Sequence, residues 1–87
     1  MSIAIKPAKF KRGNDCYYFY YDNGTTSASF TIDKRGGEWF LVINDVEGET
    51  ERIKRGMYAI AERKCDLVGF TNWCIGNRSE EPVNCYA

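Results

Sequence analysis

Eighty-seven residues, 44% of them hydrophobic, bound the chain to one small domain with a modest core. Twelve Lys and Arg balance twelve Asp and Glu, for a formal net charge of zero, which excludes the broad basic footprint of a protein held on nucleic acid or an anionic membrane mainly by charge. No apolar run is long enough to span a bilayer, and the opening MSIAIKPAKFKRG has no sustained apolar stretch of the secretory kind, so the expectation is a cytoplasmic protein with reduced thiols.

Residues 1–15 are basic, with Lys6, Lys9, Lys11 and Arg12 against Asp15. Residues 8–12 read as a short lead strand that turns at Gly13-Asn14-Asp15. Its charges protect a sheet edge, and Pro7 suits the start of an edge strand. The whole of 1–87 is expected to be one domain, with 1–7 and 78–87 as flexible or extended ends.

The segment 16–43 organises the rest. It reads as three antiparallel strands joined by two tight turns. Asn23-Gly24 between two β-rich runs is a type I′ hairpin signal. A two-residue loop there pairs Asp22 with Thr25, Tyr20 with Ser27 and Tyr18 with Ser29. Side chains alternate across a sheet, so Tyr17, Phe19, Tyr21, Ala28, Phe30 and Ile32 share one face. Cys16, Tyr18, Tyr20, Ser27, Ser29 and Thr31 share the other. The next loop holds either two residues, Gly36-Gly37, or six. Both choices put Trp39, Leu41 and Ile43 with Phe30, and Phe40, Val42 and Asn44 with Tyr18 and Tyr20.

An acidic stretch follows, Asp45, Glu47, Glu49 and Glu51. It leads into an expected helix over residues 50–64, with Thr50 as N-cap and acidic residues at the positive end of the helix dipole. Ile53, Met57, Ile60 and Ala61 recur at helical spacing and are expected to pack on the face carrying Phe19, Phe30 and Leu41. Residues 65–75 read as a last strand and 78–87 as a polar tail. The element order β-β-β-α-β indicates an α+β fold of two layers, an antiparallel sheet of three to five strands packed against one helix.

The chain has no histidine, so the usual general base is missing, and with no C-x-x-C pair the ligands of a zinc site would all come from scattered cysteines. No Gly-rich phosphate loop occurs. Cys16, Cys65, Cys74 and Cys85 could form two disulfides in three connectivities, but the expected compartment favours thiols. The expectation is therefore no enzyme, no cofactor and no metal.

What remains is surface. Tyr18, Tyr20, Phe40 and Val42 form an aromatic patch of the kind that marks an interaction site, unless Phe70 and Trp73 fold back over it. With Asp45, Glu47 and Glu49 they are the candidate partner-binding residues. A two-fold dimer through the same patch is a third reading. For nucleic acid the candidates are Lys9, Lys11, Arg12, Lys34 and Arg35 flanking Tyr18 and Tyr20. A three-stranded sheet backed by one helix over residues 16–64 resembles the small AP2-type and integrase arm-binding modules, which implies DNA contact through the sheet. The profile as a whole, with Tyr18, Tyr20 and Phe40 outward and the acidic run 45–51 able to mimic phosphates, is similar in type to small phage-encoded anti-defence inhibitors, anti-CRISPR proteins among them. That resemblance implies a non-catalytic module that blocks the functional surface of a host protein.

Overall fold

The computed structural model describes residues 7–76 and 83–86. Six strands form one antiparallel sheet in the order of the chain: β1 (Lys11–Arg12), β2 (Tyr17–Asp22), β3 (Ser27–Arg35), β4 (Glu38–Glu47), β5 (Tyr58–Ala61) and β6 (Asn84–Tyr86). One helix, α1 (Lys64–Cys74), lies in the connection from β5 to β6. The fold is α+β with two layers, as expected, but it has one strand more than the expected maximum, and the helix lies elsewhere in the chain.

The alternation read from 16–43 holds. Ala28, Phe30, Ile32, Leu41 and Ile43 are all fully buried on the inner face. The register across the first hairpin differs from expectation by two residues, because Asp22 pairs with Ser27 and Tyr20 with Ser29. Asn23 does not complete a type I′ turn. Its side-chain oxygen instead accepts the N–H groups of Thr25 and Thr26 at 2.9 and 2.7 Å, and the Asp22 carboxylate accepts the Gly24 N–H at 2.8 Å. These local bonds, of the kind Asn and Asp make in turns, stabilise a four-residue loop. A shift of two leaves every side chain on its expected face. The Gly36-Gly37 loop is the two-residue alternative: Arg35 pairs with Glu38, and both glycines have positive φ, the primed-turn geometry.

Residues 50–63 are not helical, and of the expected helix only Lys64 is, as the first residue of α1. The Thr50 hydroxyl does accept the Arg52 and Ile53 N–H groups at 3.2 and 3.0 Å, but it caps an isolated turn closed by Thr50 N–H to the Ile53 carbonyl at 2.9 Å. Gly56 then takes φ +81°, which ends any right-handed continuation. Ile53 and Met57 are buried as loop residues. Ala59 and Ala61 face inward from β5, while Tyr58 and Ile60 alternate to the outer face beside Val42 and Phe40.

The helix occupies the segment expected to be the last strand. Leu67, Phe70, Thr71 and Cys74 recur at three- and four-residue intervals and are its buried residues, the stripe of a helix that covers a sheet. Thr71 satisfies its buried hydroxyl on the Leu67 carbonyl at 2.9 Å. Arg63 grips Asp66 at the helix start through two hydrogen bonds of 3.2 and 3.0 Å, a contact that raises the guanidinium pKa. The helix packs on the inner faces of β5, β4 and β3. Beyond it, Phe10 packs against Phe19, and the Ala8 N–H donates to the Asn72 side chain at 2.7 Å.

The expected tail at 78–87 includes an edge strand, because β6 pairs with β5. The expectations for 1–6, 77–82 and 87 lie outside the described residues. No disulfide joins the four cysteines. No described helix is long and apolar enough to cross a membrane.

Candidate functional site: the outer face of the sheet

The helix covers only one face of the sheet. Phe70 is fully buried in the core and Trp73 packs against the same core, so these rings do not fold over the outer face. Among the described residues that face carries the three most exposed large apolar side chains: Tyr20 at 59%, Tyr18 at 46% and Tyr86 at 44% relative exposure.

Strand pairing arranges the face in rows. The central row runs Lys11, Tyr18, Thr31, Val42, Tyr58, Tyr86 across all six strands. Directly opposed residues in neighbouring strands lie on one face with Cβ atoms roughly 5 Å apart. Below it lie Asp33, Phe40, Ile60 and Asn84 on β3 to β6. Above it lie Tyr20, Ser29 and Asn44 on β2 to β4. Small polar side chains on β3 thus form a floor between two raised sets of rings. One wall is Tyr18 and Tyr20. The other is a ladder in which Phe40 stacks on Tyr58 at 5.1 Å and Tyr58 on Tyr86 at 4.8 Å. The Arg35 guanidinium extends this ladder, 4.7 Å from the Phe40 ring centre.

A β-bulge re-aims the acidic run. Pairing slips between Ser27 and Ser29, and Asp45 adopts φ +50°. The extra residue reverses the alternation of β4, so Val46 is buried and Glu47 pairs with Ser27 on the outer side, as bulges do. Glu47, Tyr20, Asp22 and Ser27 consequently line one shallow concavity of about 260 Å³. The corner is held by Thr26, whose hydroxyl donates to the Gly48 carbonyl at 2.9 Å, while Arg55 donates to the Val46 carbonyl at 2.9 Å.

Of the expected partner-binding residues, the structure brings together Tyr18, Tyr20, Phe40, Val42 and Glu47. Asp45 is exposed at the bulge. Glu49 lies in the following loop, where its carboxylate accepts the Arg55 N–H at 3.2 Å. The five cations of the nucleic-acid reading are divided among three places. Lys9 and Lys11 line a concavity of about 210 Å³ with Tyr18 and Tyr20. Arg12 and Lys34 line another, with Tyr17 and Trp39, whose side chains belong to the inner face. Arg35 is engaged on Asp33, with 3.0 Å between Nε and Oδ1.

Tyr58 and Tyr86 are members of the face that sequence reasoning placed on a helix and in a tail. The alternation of Tyr58-Ala59-Ile60-Ala61 was the signal for the first; a single tyrosine near the C-terminus offered none for the second. Among the described residues, no group of three or more His, Cys, Asp and Glu side chains is placed to hold a metal ion. No family model, no curated protein and no solved structure matches the chain.

Proposed function

We propose that this chain is a non-catalytic protein-binding module, an inhibitor or adaptor that occupies the functional surface of a partner protein in the cytoplasm, in the manner of phage-encoded anti-defence proteins. The observation that carries the reading is the six-stranded outer face, with three exposed tyrosines and the helix packed on the opposite side. Tyrosine supplies rigid contact area and a hydroxyl at little entropic cost. Glu47 and Asp22 beside Tyr20 add negative charge suited to a basic surface, such as that of a nucleic-acid-handling protein. Affinity capture from host lysate with the wild-type chain and with Tyr20→Ala/Phe40→Ala tests it. The partner should be retained by the first and lost by the second, with both equally folded by circular dichroism.

The grouping of Lys9 and Lys11 with Tyr18 and Tyr20 favours a second reading, single-stranded nucleic acid stacked on the tyrosines. The scatter of the other cations argues against it. A gel-shift series at two salt concentrations separates the two, because phosphate contacts weaken steeply as salt rises. No shift at low salt removes the nucleic-acid reading.

A further inference from the structure

We infer that the outer face also accepts a second copy of this chain, forming a weak two-fold dimer that competes with partner capture. The competition rests on the protein-binding reading; the dimer itself does not.

The central row supplies the contacts. A two-fold axis midway between two facing sheets, parallel to the strands and level with the gap between β3 and β4, sets β1 of one copy over β6 of the other, β2 over β5 and β3 over β4. The row Lys11, Tyr18, Thr31, Val42, Tyr58, Tyr86 then meets its own reverse. Lys11 faces Tyr86, Tyr18 faces Tyr58, and Thr31 faces Val42. Each is a favourable pair: an ammonium on a phenol ring, ring against ring, and two branched side chains at the axis. By symmetry each contact is made twice. The other axis in this midplane, perpendicular to the strands, lays Lys11 on Lys11 and is disfavoured by charge. Sheets packed face to face keep their strands within about 30° of each other, so these opposed pairs stay in register near the centre.

The area sets the strength. Six strands about 4.8 Å apart, about 7 Å tall at the two-residue β1 and about 30 Å at the nine-residue β3, overlap over a footprint of about 400 Å² per copy. The pair therefore buries about 800 Å² before corrugation is counted, below the roughly 1,200–2,000 Å² of stable interfaces and within the transient class. The dimer should form in the micromolar to millimolar range and give way to a tighter partner. Tyr20 lies in the row above, which has no opposing β5 or β6 residue, so it serves the partner and not the dimer.

Sedimentation equilibrium of the full chain, from micromolar to millimolar concentration, tests this. The wild type should pass from monomer to dimer. Lys11→Glu alone, and Tyr86→Arg alone, should each raise the dissociation constant by about 5- to 30-fold, since each disrupts two symmetric contacts. The double variant, which opposes Glu to Arg, should restore dimerisation. Tyr20→Ala should leave it unchanged. A wild type monomeric throughout, or a double variant no better than either single one, overturns the inference. Loss of partner capture by Tyr20→Ala is read separately, so the protein-binding reading stands or falls independently.

Discussion

The two faces of this sheet should respond to truncation in opposite ways. Phe70 is fully buried and stacks with Trp73 at 5.4 Å between ring centres. Tyr20 is more than half exposed. Truncating a buried Phe to Ala costs about 3–5 kcal/mol, from lost transfer energy and the cavity left behind. A domain of this length has about 4–13 kcal/mol in total, and each kcal/mol moves Tm by about 4–8 °C. Phe70→Ala should therefore lower Tm by at least about 12 °C or abolish folding. Tyr20→Ala removes a mostly solvated ring and should cost under about 1 kcal/mol, largely strand preference. Urea unfolding followed by tryptophan fluorescence and by far-ultraviolet circular dichroism measures both. If Tyr20→Ala proves as costly as Phe70→Ala, the outer face is core, and the argument for a binding surface collapses.

Two glycine substitutions test the loops. Gly36 and Gly48 both have positive φ, but a Cβ at Gly36 meets open space while one at Gly48 runs into the Thr25 carbonyl oxygen. Gly36→Ala should cost about 1–2 kcal/mol from backbone conformation alone, and Gly48→Ala clearly more, read as a larger drop in Tm. Thr26→Val keeps the shape of a buried side chain but leaves the Gly48 carbonyl without its hydroxyl donor. It should cost about 1–3 kcal/mol and loosen the corner that presents Glu47, which hydrogen exchange at residues 25–48 would register.

The faces of the first three long strands were legible in the sequence because alternation survives an error of two in register. Asn23-Gly24 was misread in turn type, since its local side-chain bonds compete with the primed geometry, yet Tyr18 and Tyr20 still fell on the correct side. The helix was misplaced for a different reason. Ile53, Met57 and Ala61 are all buried and fall at helical intervals, but two come from a loop and one from a strand, so tertiary packing reproduced the spacing. Residues 64–74 carry the real stripe, Leu67, Phe70, Thr71 and Cys74. It was obscured by Val68, Gly69 and Thr71, which are poor helix formers. The bulge at Asp45 has no sequence signature that alternation could read, and it alone decides that Glu47 rather than Val46 joins the outer face.

We propose that the aromatic sheet face opposite the helix binds another protein. The most direct measurement is the affinity of the captured partner for the wild-type chain and for Tyr20→Ala/Phe40→Ala, with Tm recorded for both. Binding through this face predicts a loss of at least about 2 kcal/mol, thirtyfold or more in Kd, as for a pair of interface hot spots, in a variant that remains folded. An unchanged Kd in that folded variant would contradict it.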